Sequence, residues 1–243
     1  MTIEFIKILF YSLVAGLATV LGIYLVLTKE SWARKNSIFL ISFSAGVILS
    51  TAIAYLMPEA LSLNGQSMLW LLASFIGFYI IEHIIILHSC QEGQACKVHP
   101  FDKIALLGMG FHSLLDGVII GIGFEISPIL GLIATLSVLI HKLPDGISMI
   151  SIMLYHGYKR QKSILYSWII AVATPIGAVV SYFLIKDLSQ PFLGALLAIA
   201  AGSFLYIAAA DLIPEIHKKS KILNIILVIS GVLFPFLIRY LIK

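Results

Sequence analysis

Two six-residue stretches of this chain, 112–117 and 141–146, share the pattern His-x-x-x-Asp-Gly. Residues four apart lie on one face of a helix, so each stretch would present an imidazole and a carboxylate side by side. If two such helices face each other, two imidazoles and two carboxylates converge on one point. The pattern therefore predicts a divalent-metal site, and its candidate ligands are His112, Asp116, His141 and Asp145.

The ligand types indicate which metals such a site would hold. Neutral imidazoles and carboxylates suit four-coordinate Zn²⁺, with Fe²⁺, Mn²⁺ or Cd²⁺ as alternatives, whereas Cu(I) prefers softer ligands. Structural ion pairs are the alternative interpretation, because Lys142 stands beside the second motif. Ionisable side chains inside a membrane are usually functional, since burying charge there is expensive.

Both motifs lie within long apolar runs. The chain has 243 residues, of which 60% are hydrophobic and 12% charged, with a mean hydropathy of +1.05. This composition predicts a polytopic membrane protein with a single transmembrane domain over residues 1–243, and gives no reason to expect a nucleic-acid partner. Apolar windows of about twenty residues predict eight spans. They lie near 4–27, 37–57, 68–88, 103–124, 128–154, 163–185, 190–213 and 222–242.

The distribution of Lys and Arg predicts the topology. The first, third, fifth and seventh connections carry several basic residues, whereas the even ones carry none or only Lys186. The positive-inside rule then makes both termini external. The third connection, 89–102, would be a cytoplasmic loop with possible metal ligands at His88, Cys90, Cys96 and His99. Their spacing matches no specific zinc motif, so an ordinary polar loop is the alternative.

A second repeated pattern occurs in spans 2 and 7. Gly46 precedes Pro58 by the same number of residues as Gly202 precedes Pro214, and each proline is followed by glutamate. In the predicted topology these two spans run in opposite directions. A repeated pattern on oppositely oriented helices predicts an inverted repeat, which is typical of transporters. Spans 1–3 would then mirror spans 6–8, with spans 4 and 5 as the central pair.

Two residues of the second motif would shape the site. Pro144 has no backbone N–H, so the carbonyl of Ile140 needs another partner: water, a hydroxyl or the ion itself. A packing kink with no further role is the alternative. Lys142 would lower the cost of two buried carboxylates and exclude a second cation, so we expect a single-ion site.

Acidic residues and a histidine near the span ends are candidates for the ion pathway. The candidates are Glu59 at the external end of span 2, and Asp211, Glu215 and His217 near the cytoplasmic end of span 7. Solvated helix ends are the alternative interpretation for each. Proton competition at the imidazoles and carboxylates would help release the ion and would make uptake pH-dependent.

At these residues the sequence resembles the ZIP (Zrt/Irt-like) family of divalent-metal transporters. The resemblance covers nearly the whole chain and rests on the two His motifs and on the Gly…Pro-Glu patterns of spans 2 and 7. It implies an all-α, eight-helix fold of 3+2+3 spans, a transport site between spans 4 and 5, uptake into the cytoplasm and alternating access. Many family members have a second, adjoining metal site, whose matching positions here are Ser113, Lys142 and Thr174. Lysine at the middle position argues against a binuclear centre.

Two other classes of protein use similar residues. Cation diffusion facilitators, which are exporters, also carry His-x-x-x-Asp on two helices, but they have fewer spans and place the motifs on non-adjacent helices. An intramembrane metal-dependent hydrolase is the second alternative, although the sequence has no His-Glu-x-x-His. We expect a transporter rather than an enzyme, with no cofactor, in the plasma membrane. Its partners would be the transported ion, most of all Zn²⁺, and the lipid bilayer, with a homodimer left open.

Overall fold

The computed structural model describes residues 3–87, 101–155, 158–185, 188–218 and 221–242, and these residues form helices and no strand. Within them, seven helices are long and apolar enough to cross a membrane, and Ser67–Ile81 is a shorter apolar helix. The predicted architecture, an all-α polytopic membrane protein with about eight helices, is thus confirmed. The loop candidates His88, Cys90, Cys96 and His99 lie outside the described residues.

The helices keep the span numbers used above. Spans 1 and 2 are Ile3–Ala33 and Lys35–Leu63, span 3 is Ser67–Leu87, span 4 is Phe101–Ile126, span 5 is Pro128–Tyr155, span 6 is Arg160–Ile185, span 7 is Gln190–Lys218 and span 8 is Ile222–Ile242. The connection between spans 1 and 2 is itself helical. The helical stretch Ile3–Thr51 consists of two helices that meet at a kink at Lys29 (φ −138°, ψ 55°).

A one-residue connection joins the two motif helices. Ser127 lies between spans 4 and 5, and its hydroxyl accepts a hydrogen bond from the N–H of Leu130 at 3.2 Å. This bond satisfies one of the donors left open at the start of span 5. Because the connection is so short, spans 4 and 5 form an antiparallel hairpin, which brings the two His motifs side by side.

Spans 2 and 7 each contain a π-helical turn close to their proline. The turns are Ala52–Leu56, before Pro58, and Ile207–Leu212, before Pro214. In each, the N–H of the residue before the proline donates to the carbonyl five residues earlier. Proline cannot continue the ordinary helical ladder, and the wider turn gives the neighbouring N–H a partner. The hydropathy pattern does not predict these turns.

Span 1 positions span 5 by a close crossing of backbones. A side chain at Gly22 would collide with the carbonyl of Leu143, and one at Gly146 would collide with the carbonyl of Thr19. Lipid tails are as apolar as leucine, so helices in a bilayer associate through such tight packing rather than through a hydrophobic driving force. Gly146 closes the second His motif, and the crossing therefore lies next to Asp145.

Span 6 holds span 4 in a corresponding way. A side chain at Gly177 would collide with the carbonyl of Leu114, and one at Gly117 would collide with the carbonyl of Thr174. Leu114 and Gly117 occupy the same places in the first motif as the crossing residues of span 5 occupy in the second. Both motif helices are therefore fixed by a partner helix at the same point, within the motif and next to its aspartate.

Candidate metal centre

Three of the four predicted ligands converge in the structure. One ligand atom from each of His112, His141 and Asp145 lies within 4.8 Å of the other two. The ring centroids of the histidines are 5.5 Å apart, and Nε2 of His112 is 3.8 Å from Oδ2 of Asp145. Bonds of about 2.1 Å to one tetrahedral Zn²⁺ place ligand atoms about 3.4 Å apart. The three ligand atoms would therefore have to approach one another by up to about 1.4 Å to share an ion.

The fourth predicted ligand, Asp116, lies at the centre of the cluster but is already engaged. Its Oδ2 is 3.3 Å from Nε2 of His112 and 3.4 Å from Nε2 of His141. Its shortest contact is with Nζ of Lys142, at 2.7 Å, and both of these side chains are completely buried. Oδ1 of Asp116 has no hydrogen-bond partner among the described residues. The lysine is thus a direct partner of a candidate ligand, and not only a neighbouring charge.

The residues at the second-site positions lie beside this ion pair. Nζ of Lys142 donates to Oγ of Ser113 at 2.6 Å, so the ammonium group sits between a hydroxyl and a carboxylate. Thr174 is buried on span 6 against Gly117, and its hydroxyl has no hydrogen-bond partner in the described part of the chain. Two of the three second-site positions, Ser113 and Lys142, are therefore hydrogen-bonded to each other. The third, Thr174, packs against Gly117, the residue after Asp116.

The two histidines differ in their surroundings. Nδ1 of His141 lies 2.9 Å from the carbonyl of Ser137, so it donates to that oxygen and Nε2 is left facing the cluster. Metal-binding histidines are commonly oriented by such a bond. Phe204 of span 7 packs edge-on against the same ring at 5.7 Å between centroids. Both ring nitrogens of His112 lack a hydrogen-bond partner among the described residues.

The cluster is accessible from one side only. The side chains of His112 and Asp145 are 17% and 24% exposed, whereas those of Asp116 and His141 are 0% and 2% exposed. In the hairpin of spans 4 and 5, the two buried residues are the ones nearer Ser127. The site therefore opens away from the turn of the hairpin and is closed toward it.

A layer of apolar side chains closes the site on the side of the hairpin turn. It belongs to the largest buried cluster of the described residues and draws on spans 2, 4, 5 and 7; its members include Ile48, Leu56, Ile120, Ile133, Leu197 and Phe204. Apolar side chains offer a cation no ligand. An ion could cross this layer only if the helices moved apart.

A cavity of about 310 Å³ lies at the Ser127 end of the molecule, and we call it the vestibule. Its polar lining residues include Glu59, Ser127 and Arg239. The guanidinium carbon of Arg239 is 5.7 Å from the centroid of the Tyr55 ring. The pathway candidate Glu59 is thus in a cavity, but not in the cluster of candidate ligands. Arg239 was not among the residues predicted to be functional, although it is the one Lys or Arg inside span 8.

The other pathway candidates lie near the opposite end of span 7: Asp211, Glu215 and His217. Span 7 begins near the vestibule end, because Nδ2 of Asn64, just after span 2, donates to the carbonyl of Pro191 at 2.8 Å. Glu215 is ion-paired with Lys218 at 3.0 Å in a solvent-exposed position. The structure does not bring these three residues into the cluster.

Comparison with known proteins identifies the family. The family model described as "ZIP Zinc transporter" matches residues 86–239. The chain belongs to this family, as its motifs indicated. It is similar to zinc transporter ZupT of Chlorobium chlorochromatii, at 25% identity over 234 residues, which cover 86% of this chain and 87% of the relative.

Animal relatives match over shorter stretches. The chain is 29% identical to zinc transporter zipt-7.2 of Caenorhabditis elegans over 134 residues, or 54% of this chain and 29% of the relative. It is 24% identical to zinc transporter ZIP9 of Micropogonias undulatus over 155 residues, or 60% and 50%. The chain thus spans half or less of these two relatives. The family is one of integral membrane transporters and not of enzymes.

Proposed function

We propose that this protein carries Zn²⁺, or a similar divalent ion such as Fe²⁺, Mn²⁺ or Cd²⁺, across the membrane into the cytoplasm. The ion would bind at one site formed by His112, Asp116, His141 and Asp145. The observation that carries this proposal is the convergence of ligand atoms within 4.8 Å inside apolar spans. His112 and His141 both place Nε2 within 3.4 Å of Oδ2 of Asp116, and Nδ1 of His112 has no hydrogen-bond partner among the described residues.

The charges around the cluster suit a carrier that must release its ion. With two carboxylates, one ammonium and two neutral imidazoles, the empty site carries one negative charge. Zn²⁺ would change this to one positive charge, whereas a site without Lys142 would change from two negative charges to zero. The lysine therefore favours the empty state relative to the loaded one. We propose that it sets a moderate affinity and keeps the site to a single ion.

The accessibility of the cluster supports a transport cycle with two end states. In the topology predicted from the Lys and Arg distribution, Ser127 is external, and the open side of the cluster then faces the cytoplasm. The structure would correspond to the inward-open state. In the outward-open state, the apolar layer would part and the vestibule would reach the site. We propose that one helix bundle moves against the other in this step, as an inverted repeat allows.

The proposed path follows from these positions. The ion would enter the vestibule beside Glu59, exchange its water for the four ligands, and leave toward Glu215 and His217. The imidazoles must be neutral to bind, so protons would compete with the metal at the site. We further propose a location in the plasma membrane with both termini outside.

Uptake into proteoliposomes loaded with a Zn²⁺-sensitive dye tests this proposal. The wild type should give a dye response, and His112→Ala should abolish it. His83→Ala is the matched control, because His83 is exposed on span 3 and stacks on Tyr79 outside the cluster. A response in the wild type and in both variants would keep the transporter but move the site. If none of the three proteins gives a response although each is folded and binds metal, the proposal that this protein transports the ion is wrong.

A further inference from the structure

The carbonyl that Pro144 deprives of its helical partner is satisfied from another helix. Oγ of Ser44, in span 2, donates to the carbonyl of Ile140 at 3.1 Å. Ser44 is completely buried, and Ile140 is partly buried. Ile140 immediately precedes His141, a candidate ligand. A hydroxyl from span 2 therefore takes the place of the missing N–H at the turn of span 5 that carries the ligand.

The corresponding pair of spans, 4 and 7, lacks both the proline and the serine. The offset that aligns the Gly…Pro-Glu patterns of spans 2 and 7 places Ala200 opposite Ser44. The offset that aligns the two His motifs places Leu115 opposite Pro144. Leucine keeps its N–H, so the ladder of span 4 needs no outside donor there, and alanine offers none. Of the two pairs, spans 2 and 5 have both the hydroxyl and the proline, and spans 7 and 4 have neither.

Neighbouring serines on span 2 behave differently. Oγ of Ser42 donates to the carbonyl of Ile38 at 2.7 Å, and Oγ of Ser50 donates to the carbonyl of Val47 at 3.1 Å. Both bonds stay within the same helix, which is the usual arrangement for a buried helical serine. Ser44 reaches across to another span instead. Burial alone therefore does not account for its contact with Ile140.

We propose that Ser44 is a positioning residue of the transport site. Its hydroxyl holds the Ile140–Pro144 turn of span 5 in the orientation that directs Nε2 of His141 into the cluster, and it ties this turn to span 2. The inference rests on the proposed metal site. Within the bilayer no water can bond the freed carbonyl of Ile140. Without the hydroxyl, this turn of span 5 would therefore rotate until the carbonyl found another hydrogen-bond donor. The ring of His141 then leaves the geometry needed to bind the ion.

The first experiment compares Ser44→Ala with Ser42→Ala in proteoliposomes. Ser42 has the same burial on the same helix, and its hydroxyl bonds only its own backbone. Ser44→Ala should raise the apparent KM for Zn²⁺ by about 2-fold to about 10-fold, which is the fold-change expected from losing one hydrogen bond. The maximal rate should change little, Ser44→Thr should retain the wild-type KM, and Ser42→Ala should match the wild type. Equal KM values for Ser44→Ala and Ser42→Ala would overturn the proposal.

The decisive comparison repeats Ser44→Ala in a Pro144→Leu background. Leucine restores the N–H that bonds Ile140 within span 5, so removal of the hydroxyl should now leave the KM unchanged. A rise as large as in the wild-type background would mean that Ser44 acts by packing, and would overturn the inference. If Ser44→Ala alone does not fold, recovery of folded protein in the double variant supports the proposal and failure to recover refutes it.

A thermal-shift measurement separates the two hypotheses. Zn²⁺-dependent stabilisation of the purified protein, recorded for the same variants, does not require transport. If the wild type binds Zn²⁺ but does not carry it, the proposed function fails while the effect of Ser44 on binding is still measured. If Zn²⁺ stabilises Ser44→Ala as strongly as Ser42→Ala, the positioning role fails whether or not the protein transports.

Discussion

Replacement of Lys142 by methionine tests the electrostatic design of the site. The lysine is 1% exposed, and its Nζ bonds Asp116 at 2.7 Å and Ser113 at 2.6 Å. Methionine has a similar length but no charge, so in the empty variant the buried carboxylate of Asp116 would lose its ammonium partner and keep only its contacts with the two imidazoles. Breaking a buried ion pair on one side costs about 3–5 kcal/mol. We therefore expect Lys142→Met to be clearly less stable than the wild type when no metal is present.

Zinc should reverse most of this loss. In Lys142→Met, a bound ion supplies the positive charge that Asp116 has lost. The ion is also no longer repelled by the ammonium group of the lysine. If the ion recovers a substantial part of the 3–5 kcal/mol, its affinity rises by roughly tenfold to a thousandfold, at about 1.4 kcal/mol per factor of ten. Tighter binding should also slow release, so we expect the maximal transport rate of the variant to fall.

Thermal unfolding in detergent, with and without Zn²⁺, measures both effects. Lys142→Met combined with Asp116→Asn removes both charges and should regain stability without metal. Lys218→Met is the matched control, because its ion pair with Glu215 is exposed and such pairs contribute about 0–1 kcal/mol. If Lys142→Met is as stable as the wild type without Zn²⁺ and binds it no more tightly, the lysine does not compete with the ion.

Three further predictions follow from the vestibule, the helix crossings and the number of ions bound. Glu59→Gln should raise the apparent KM for uptake several-fold, with Zn²⁺-dependent thermal stabilisation unchanged; a loss of that stabilisation would place Glu59 in the binding site instead. Gly117→Ala should sharply reduce the yield of folded protein, because the new methyl group would collide with the carbonyl of Thr174, whereas Gly110 has open space and its alanine variant should express normally. Elemental analysis of Lys142→Ala should find a second Zn²⁺ per chain, and a single ion would show that the lysine does not exclude the second.

The convergence of the candidate ligands was predictable because its signal is local. His112 and Asp116 stand one helical turn apart, as do His141 and Asp145, and the short connection at Ser127 brings the two helices together. Polar residues are rare in such apolar segments, so the motifs stand out against their surroundings. The need of the Ile140 carbonyl for a partner was also predictable, since it follows from proline chemistry alone.

The position of Arg239 in the vestibule could not be predicted from the sequence. A basic residue close to the end of an apolar span is common, and nothing nearby in the sequence indicates that its side chain lines a cavity together with Glu59. The two residues belong to spans at opposite ends of the chain. The same applies to Phe204, which reads as an ordinary apolar residue of span 7 but packs against His141.

The amino-acid sequence by itself determined the helices, the membrane class, the family and the composition of the cluster, because hydropathy and helical spacing act over one or a few turns. Only the tertiary structure decided that Lys142 bonds Asp116, that Ser44 satisfies Ile140, and that the site opens on one side. These features depend on how helices distant in sequence cross each other. Such crossings are set by close backbone contacts at a few glycines, and the spacing of residues along the chain does not encode which contacts form.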